Sequence, residues 1–548
     1  MNTCRVFFNR YQKYLFLIAI GSIIVWGVYL RIVNHEALLV FKSDQARDAI
    51  FIDSVLYEGA HLPLLGPQVG GTVLRLGPIF YYFQLLSGKV FGSSPESLAY
   101  PDLLWGILFL PIFYLLLRKF FTKGISLWLL GLASSSLLLV TFSRFAWNPN
   151  GLPFFTALFA YAFLEALELR GKRRWLLLSL AAFCIGIVAN LHLAAILGLS
   201  LGLLLFLVLT RSLSWQEVVL MVGIVAILHT PVLVNEWQTK GELIRSFVEV
   251  KEKKITEEKG HAVYEKFFRA YQEGSSMSWL LLTGQQNTST ILTKGFELKC
   301  DKKCKADLWY SVGAMILFGY ILSISLRKLC REDEKIKKIR IVLIGCWFGS
   351  FFIVTILLAY QLQTRFYLGV VVPLFILLGF GVEYLYNFYQ NTWWKWLMVG
   401  VGVGIIFLNV HTSKSFLVEL NRSQVSSEES GKDLRFGTEP KVTLGQLRTI
   451  ALDAENKLDK NIPIIIFGES HYVKALYYVM SRERGFNGCY IKGKADIENG
   501  YNTLFLMENK SRQGENSIAT LFGTLASEIT RGTGTVKDLS LPKDCLDY

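Results

Sequence analysis

The chain has 548 residues, of which 52% are hydrophobic, 14% aromatic and only 18% charged, with a mean hydropathy of +0.38. These values exclude a soluble globular protein and define a polytopic membrane protein. The net charge of +14 comes without aromatic–basic interleaving, so no nucleic-acid partner is expected; eight cysteines without a CxxC pair exclude a disulfide scaffold and a zinc ribbon.

Apolar runs long enough to cross a bilayer as helices lie near 12–33, 101–118, 125–143, 150–168, 175–190, 194–210, 216–234, 308–326, 340–360, 366–387 and 395–411. The first is too long for a signal-peptide core and has no small-residue cleavage site, so it reads as a retained span. The run 74–92 contains Gly77-Pro78, Gln84 and Lys89, and reads as interfacial. With that segment on the surface, the short loops alternate as the positive-inside rule requires. Arg118-Lys119, Arg170 with Lys172-Arg173-Arg174, Arg211 and the Arg327–Arg340 segment then all face the cytoplasm. The expectation is about 11 spans, with the N-terminus cytoplasmic and the C-terminus external.

This sidedness gathers Asp44–Asp48, Ser143–Asn150, Ala189–His192 and Gln361–Tyr367 on the external face, where four polar turns predict a shared cavity. Cys300, Cys304, Cys489 and Cys545 fall on the same side; they are either disulfide-bonded, with Cys300–Cys304 one pairing, or free thiols. Beyond about 412 the pattern changes. Asn421–Lys441 is polar and reads as a linker, followed by a helix at Leu444–Leu458, a strand at Ile462–Phe467, a helix from about His471 to Arg482 and a strand near Thr503–Met507. Residues 1–411 therefore read as a membrane domain and 412–548 as an external linker with a small α/β domain.

The segment Phe41-Lys-Ser-Asp-Gln-Ala-Arg-Asp48 carries the strongest functional signal, because polar groups beside hydrocarbon are costly unless solvated or paired. On a helix, Asp44, Arg47 and Asp48 share one face. The group reads either as a carboxylate base at the membrane surface or as an ion pair that positions the first span. Arg144 and Arg365 read either as anion ligands or as interfacial anchors. His192 reads as a helix-end hydrogen bonder or a ligand, and the Tyr81-Tyr82 pair as packing. A transporter or lipid flippase is the competing function class. Against it, charged residues concentrate at span ends, and no internal repeat is evident.

In order along the chain, Asp44-Gln45-Ala46-Arg47, Gly77-Pro78-Ile79-Phe80-Tyr81-Tyr82, Arg144 with Pro149-Asn150, and Arg365-Phe366-Tyr367 to Pro373 resemble the polyprenyl-phosphate-sugar-dependent glycosyltransferases of the GT-C fold, such as protein O-mannosyltransferases and lipid A aminoarabinose transferases. The resemblance covers roughly 12–390. It implies a GT-C-like bundle with interfacial helices, in a multi-pass protein of a bacterial plasma membrane. The implied reaction is inverting transfer of a hexose or pentose from a polyprenyl-phosphate sugar donor to a glycan, glycolipid or protein hydroxyl. It also implies Asp44 as the base, Asp48 as the second carboxylate, and Arg47, Arg144, Asn150, His192, Arg365 and Tyr367 as substrate-binding residues. Gln45 and Asn150 stand where relatives often carry carboxylates, so no cofactor is expected and a divalent cation would be held weakly.

Overall fold

The computed structural model describes residues 2–69, 73–257, 261–284, 292–294, 297–299, 304–360, 362–388, 391–422, 443–468, 472–492, 502–505 and 530–531. The first helix, α1 (Asn2–Ile32), is followed by two helices of 15 and 13 residues, α2 (Ser43–Tyr57) and α3 (Ile79–Phe91). At 13 residues α3 is too short to cross a bilayer, in keeping with its interfacial reading. The start of α2 is capped by Gln45, whose Oε1 accepts the Lys42 N–H at 3.1 Å. A neutral amide does this work, so the position needs no carboxylate. The loop before α3 passes close to the bundle at Gly77, where a Cβ would lie 1.8 Å from Asn190 Oδ1.

Next come α4 (Pro95–Leu117), α5 (Lys123–Ser135), α6 (Leu137–Phe142), α7 (Leu152–Glu168), α8 (Lys172–Leu191) and α9 (Leu193–Thr210). Ser94 caps α4, accepting from Ser97 N–H, with Pro95 at the first helical position. The chain continues through α10 (Trp215–Leu228), α11 (Thr230–Gln238), α12 (Glu242–Glu257) and α13 (Val263–Thr283) to a short antiparallel pair, β1 (Leu292–Lys294) and β2 (Glu297–Lys299). The helices α14 (Cys304–Arg331), α15 (Lys335–Leu357), α16 (Val371–Phe388) and α17 (Thr392–Arg422) complete the bundle.

Among the described residues nine helices are long and apolar enough to span a membrane, and α10 with α11, bent by 60°, forms a tenth candidate. The remaining expected span, 125–143, is two helices broken at Ser136. The expected domain boundary at 411/412 falls inside α17, because the helix continues to Arg422. Small residues permit the closest packing: Gly198 and Gly202 of α9 lie against the backbones of Phe351 and Trp347 of α15. At one end of the bundle, Arg340 of α15 and Lys119 after α4 both bond Glu168 of α7, at 2.7 and 3.2 Å, and Arg174 of α8 pairs with Glu217 of α10.

The C-terminal unit contains α18 (Leu444–Lys457), β3 (Ile464–Gly468), α19 (Val473–Tyr478), β4 (Gly488–Lys492), β5 (Asn502–Phe505) and β6 (Thr530–Arg531). Its sheet has the order β4-β3-β5-β6, with β4 and β5 parallel to β3 and β6 antiparallel to β5. The expected helices and strands are present with shifted ends; β4 and β6 are additional. Cys489 on β4 is disulfide-bonded. Cys300 and Cys545, and the linker beyond Arg422, lie outside the described residues, as does the Cys304 side chain.

This unit docks on the flanks of α2. Leu444 and Gly445 donate their N–H groups to the Leu39 and Ala37 carbonyls at 2.7 and 3.1 Å. Arg482 pairs with Asp53 at 3.2 Å and with Glu58, and the Tyr478 hydroxyl donates to the Ser93 carbonyl at 2.8 Å.

Candidate active site

The first turns of α2 hold a compact polar cluster. Arg47 donates from Nε and Nη2 to Asp48 Oδ1 at 2.9 and 2.8 Å, and from Nη1 to Asp44 Oδ1 at 3.2 Å. Tyr81 of α3 donates its hydroxyl to the same Asp48 oxygen at 2.9 Å. The two carboxylates sit in different surroundings, since the Asp44 side chain is 52% exposed and that of Asp48 only 1%. Burial pushes the Asp48 carboxyl up to about 6, despite the opposing charge of Arg47 and the hydrogen bonds it accepts. Burial works against the Arg47 charge, yet Asp48 and Asp44 together hold its pKa above the ordinary arginine value. Tyr81, expected from the sequence to be packing, is instead part of the acidic motif, and both burial and the Asp48 charge raise its hydroxyl.

Within reach of the Asp44 charge is the 3₁₀ turn Thr364–Gly369 that leads into α16. The Arg365 guanidinium lies over the Trp147 ring at 5.1 Å and near the Phe366 ring at 5.9 Å. It makes no hydrogen bond or ion pair to the described residues. Burial lowers its pKa, and the Asp44 charge opposes that shift. His192 ends α8 by leaving helical geometry, caps α9 by accepting the Ala195 N–H at Nδ1 (3.3 Å), and meets Phe366 edge-on at 5.1 Å. Burial, with a contribution from Arg365, lowers the imidazole pKa to about 3. His192 is therefore neutral at physiological pH and offers no cation to an anionic ligand. Asn148 ties the neighbouring 3₁₀ turn (Asn148–Gly151) to α8 by donating to the Leu191 carbonyl at 2.6 Å.

Arg144 departs from its expected role as a substrate ligand. Its guanidinium donates to the carbonyls of Leu30, Arg31, Val33 and Asn34 at 2.7–3.4 Å, and the side chain is buried. It bonds carbonyls of the last turn of α1 and of the turn that follows, and complements the negative end of the helix dipole. Asn150 is also buried and bonded internally, donating to the Phe145 carbonyl at 2.6 Å, while its Oδ1 has no partner. Tyr367 points into the bundle, edge-on to Phe351 at 5.8 Å, with its hydroxyl buried and unpartnered. Burial raises that hydroxyl well above its usual value, with Glu273 adding to the shift and Arg269 opposing it. Those two residues of α13 form an ion pair at 2.7 Å, and Arg269 Nε and Nη1 are buried without partners among the described residues.

Three further residues escaped the sequence reading. Asp102 of α4 is buried, and its Oδ2 accepts the Trp147 N–H at 3.1 Å. It sits inside an apolar run, and only its charge there marked it. Arg269 and Glu273 were signalled by i, i+4 spacing on the amphipathic stretch that forms α13. Among the described residues no three His, Cys, Asp or Glu side chains converge in the way a metal ion requires.

Broken helices with an acidic interfacial helix at one end make this a polytopic membrane fold, and its likeness to solved structures shows that fold to be of the GT-C type. Residues 76–235, less than a third of the chain, match the family model described as dolichyl-phosphate-mannose-protein mannosyltransferase. The structure is similar to that of ArnT from Cupriavidus metallidurans in the apo state, with a TM-score of 0.52, 11% identity, and coverage of 92% of this chain and 94% of that chain. The same protein bound to undecaprenyl phosphate gives a TM-score of 0.51, 12% identity and 95% coverage of each chain. No curated protein sequence matches the chain.

Proposed function

We propose that this protein is a membrane glycosyltransferase that moves a sugar from a polyprenyl-phosphate donor to an acceptor hydroxyl at the external membrane face. The observation that carries this reading is a solvent-facing carboxylate, Asp44, whose charge acts on a half-buried guanidinium, Arg365, that lacks hydrogen-bonding partners among the described residues. The undecaprenyl phosphate bound to the similar ArnT supports a lipid-phosphate donor. The lysine and arginine residues Lys119, Arg174 and Arg340 at the opposite end of the bundle support an external site, as the positive-inside bias requires.

In this reading the acceptor oxygen forms a bond to the anomeric carbon while the carbon–oxygen bond to phosphate breaks. Asp44 takes the acceptor proton, and the phosphate leaves with the bonding electron pair. Arg365 stabilises the charge gathering on the phosphate through charge-assisted hydrogen bonds. The buried Asp48 is already bonded by Arg47 and Tyr81, so it orients Arg47, which in turn orients Asp44. One displacement with one base inverts the anomeric centre. The unpartnered Tyr367 hydroxyl and the free Arg269 N–H groups offer further donors to an anionic headgroup. Glycan, glycolipid and protein hydroxyls all remain admissible acceptors.

The test is an assay of purified protein with radiolabelled polyprenyl-phosphate sugars, scoring transfer against release of free sugar. Absence of both transfer and release across the donor panel would overturn the assignment.

A further inference from the structure

A second polar hollow lies behind the acidic helix, where α3 meets α4 close to the 3₁₀ turn at Asn148–Gly151. Its polar lining is Gln84 and Asp102, and its walls include the rings of Phe80, Phe83 and Trp105. Both polar side chains are buried, with relative exposures of 1% and 4%. Among the described residues Gln84 Oε1 has no hydrogen-bond partner, and Asp102 has only the Trp147 N–H, on Oδ2. Buried acceptors in an aromatic-walled space call for a donor, and none of the wall side chains is bonded to these two. The space is about one water in size, which fits a single hydroxyl arm but not a sugar ring.

The hollow adjoins the proposed chemistry on two sides. Gln84 is one helical turn from Tyr81, which bonds Asp48. Asp102 holds the backbone of Trp147, and the Trp147 ring carries Arg365. Carbohydrates present O–H donors and apolar C–H faces on the same small unit, which suits a pocket of aromatic rings with a few fixed polar groups. Resting on the glycosyltransferase reading above, we propose that this hollow is a hydroxyl-recognition subsite for the transferred sugar. Asp102 accepts the proton of one hydroxyl arm, and the aromatic walls pack against the carbon that bears it. The hydroxyl oxygen accepts from Gln84 once that amide turns over.

The experiment compares the full-length protein with Asp102→Asn and Gln84→Met. Each is tested for binding of bare undecaprenyl phosphate and of the same lipid carrying a hexose that the unaltered protein turns over. Both variants are expected to lose about tenfold or more in affinity for the hexosylated lipid, the scale of losing one buried hydrogen bond. Their affinity for the bare lipid stays within about twofold, which also reports that they fold. Equal losses for both lipids, or unchanged affinity for the hexosylated one, overturns the subsite. If the unaltered protein transfers sugar and both variants match it in affinity, only the subsite falls. If it turns over no hexosylated lipid, the glycosyltransferase reading falls and takes the subsite with it.

Discussion

Arg365 lies over the indole of Trp147, 5.1 Å from the ring centroid, without a hydrogen bond or ion pair to any described residue. An aromatic face fixes the guanidinium plane while leaving its N–H groups free, so the cation is oriented but its donors are unspent. Such a group can accept an oxyanion without first breaking an ion pair.

Arg365→Ala is therefore expected to weaken donor affinity as well as turnover, because the phosphate is present in both ground and transition states. The combined loss in kcat/KM should be roughly 100-fold, the scale for removing one donor from a developing oxyanion. Arg365→Lys should recover only part, since an ammonium lacks the planar fork. Steady-state rates over a donor concentration series check this; an unchanged KM in the alanine variant would remove Arg365 from the phosphate.

Asp44→Asn keeps shape and removes basicity, so turnover should fall by roughly 100-fold or more with donor affinity little changed. Asp48→Asn should be milder, because Asp48 acts through Arg47. Initial rates and donor binding, measured separately on folded protein, decide between them. A near-normal Asp44→Asn beside an inactive Asp48→Asn would move the base to Asp48.

The raised Asp48 pKa, about 6, predicts an acidic limb in the rate profile. Below it the protonated carboxyl no longer anchors Arg47 by charge, and activity falls. Stability runs the other way. Between the ordinary carboxyl value and about 6 the folded state binds more protons than the unfolded state at this group, so its contribution falls as pH rises through that window. Asp48→Asn should flatten the acidic limb. A limb unchanged in that variant assigns the titration elsewhere.

Chelation should leave transfer largely intact. Gln45 caps α2, Asn150 is bonded to Phe145, and Asp48 is occupied by Arg47 and Tyr81, which leaves Asp44 as the exposed carboxylate of the motif. Activity is compared with and without EDTA. Abolition by EDTA with rescue by a divalent ion would establish a site that the donor set does not foreshadow.

Sidedness is open to direct measurement. Reporter fusions should place residue 172 inside and residues 46 and 500 outside. An external signal at 172 would reverse the orientation of the bundle.

Much of the architecture was legible because hydrocarbon imposes a strong rule: apolar length sets spans, and charge bias sets their ends. The grouping of Asp44, Trp147, His192 and Arg365 at one end followed from that rule alone, before any contact was known. What each polar group bonds was not legible. Arg144 and Arg365 look alike in sequence, each at a span end near aromatic residues. One bonds carbonyls at and just past the end of α1 and the other stacks on an indole, and only tertiary packing separates them. Tyr81 reads as packing until the burial of Asp48 makes its hydroxyl a necessary donor. The helix α13 was missed because its polar residues interrupt the apolar run that a span requires.

The bridge from Arg482 to Asp53 and Glu58 ties the far half of α2 to the C-terminal unit, while Leu444 and Gly445 bind the strand-like residues just before it. The acidic helix is thus gripped before its first turn and again along its second half by a part of the chain more than 380 residues downstream. A shortened protein ending at α17 would keep every apolar span yet lose both grips, leaving Asp53 without its cation. The acidic helix is therefore braced by a part of the chain remote from it in sequence, and a bundle to which that part has not docked lacks a fixed acidic helix.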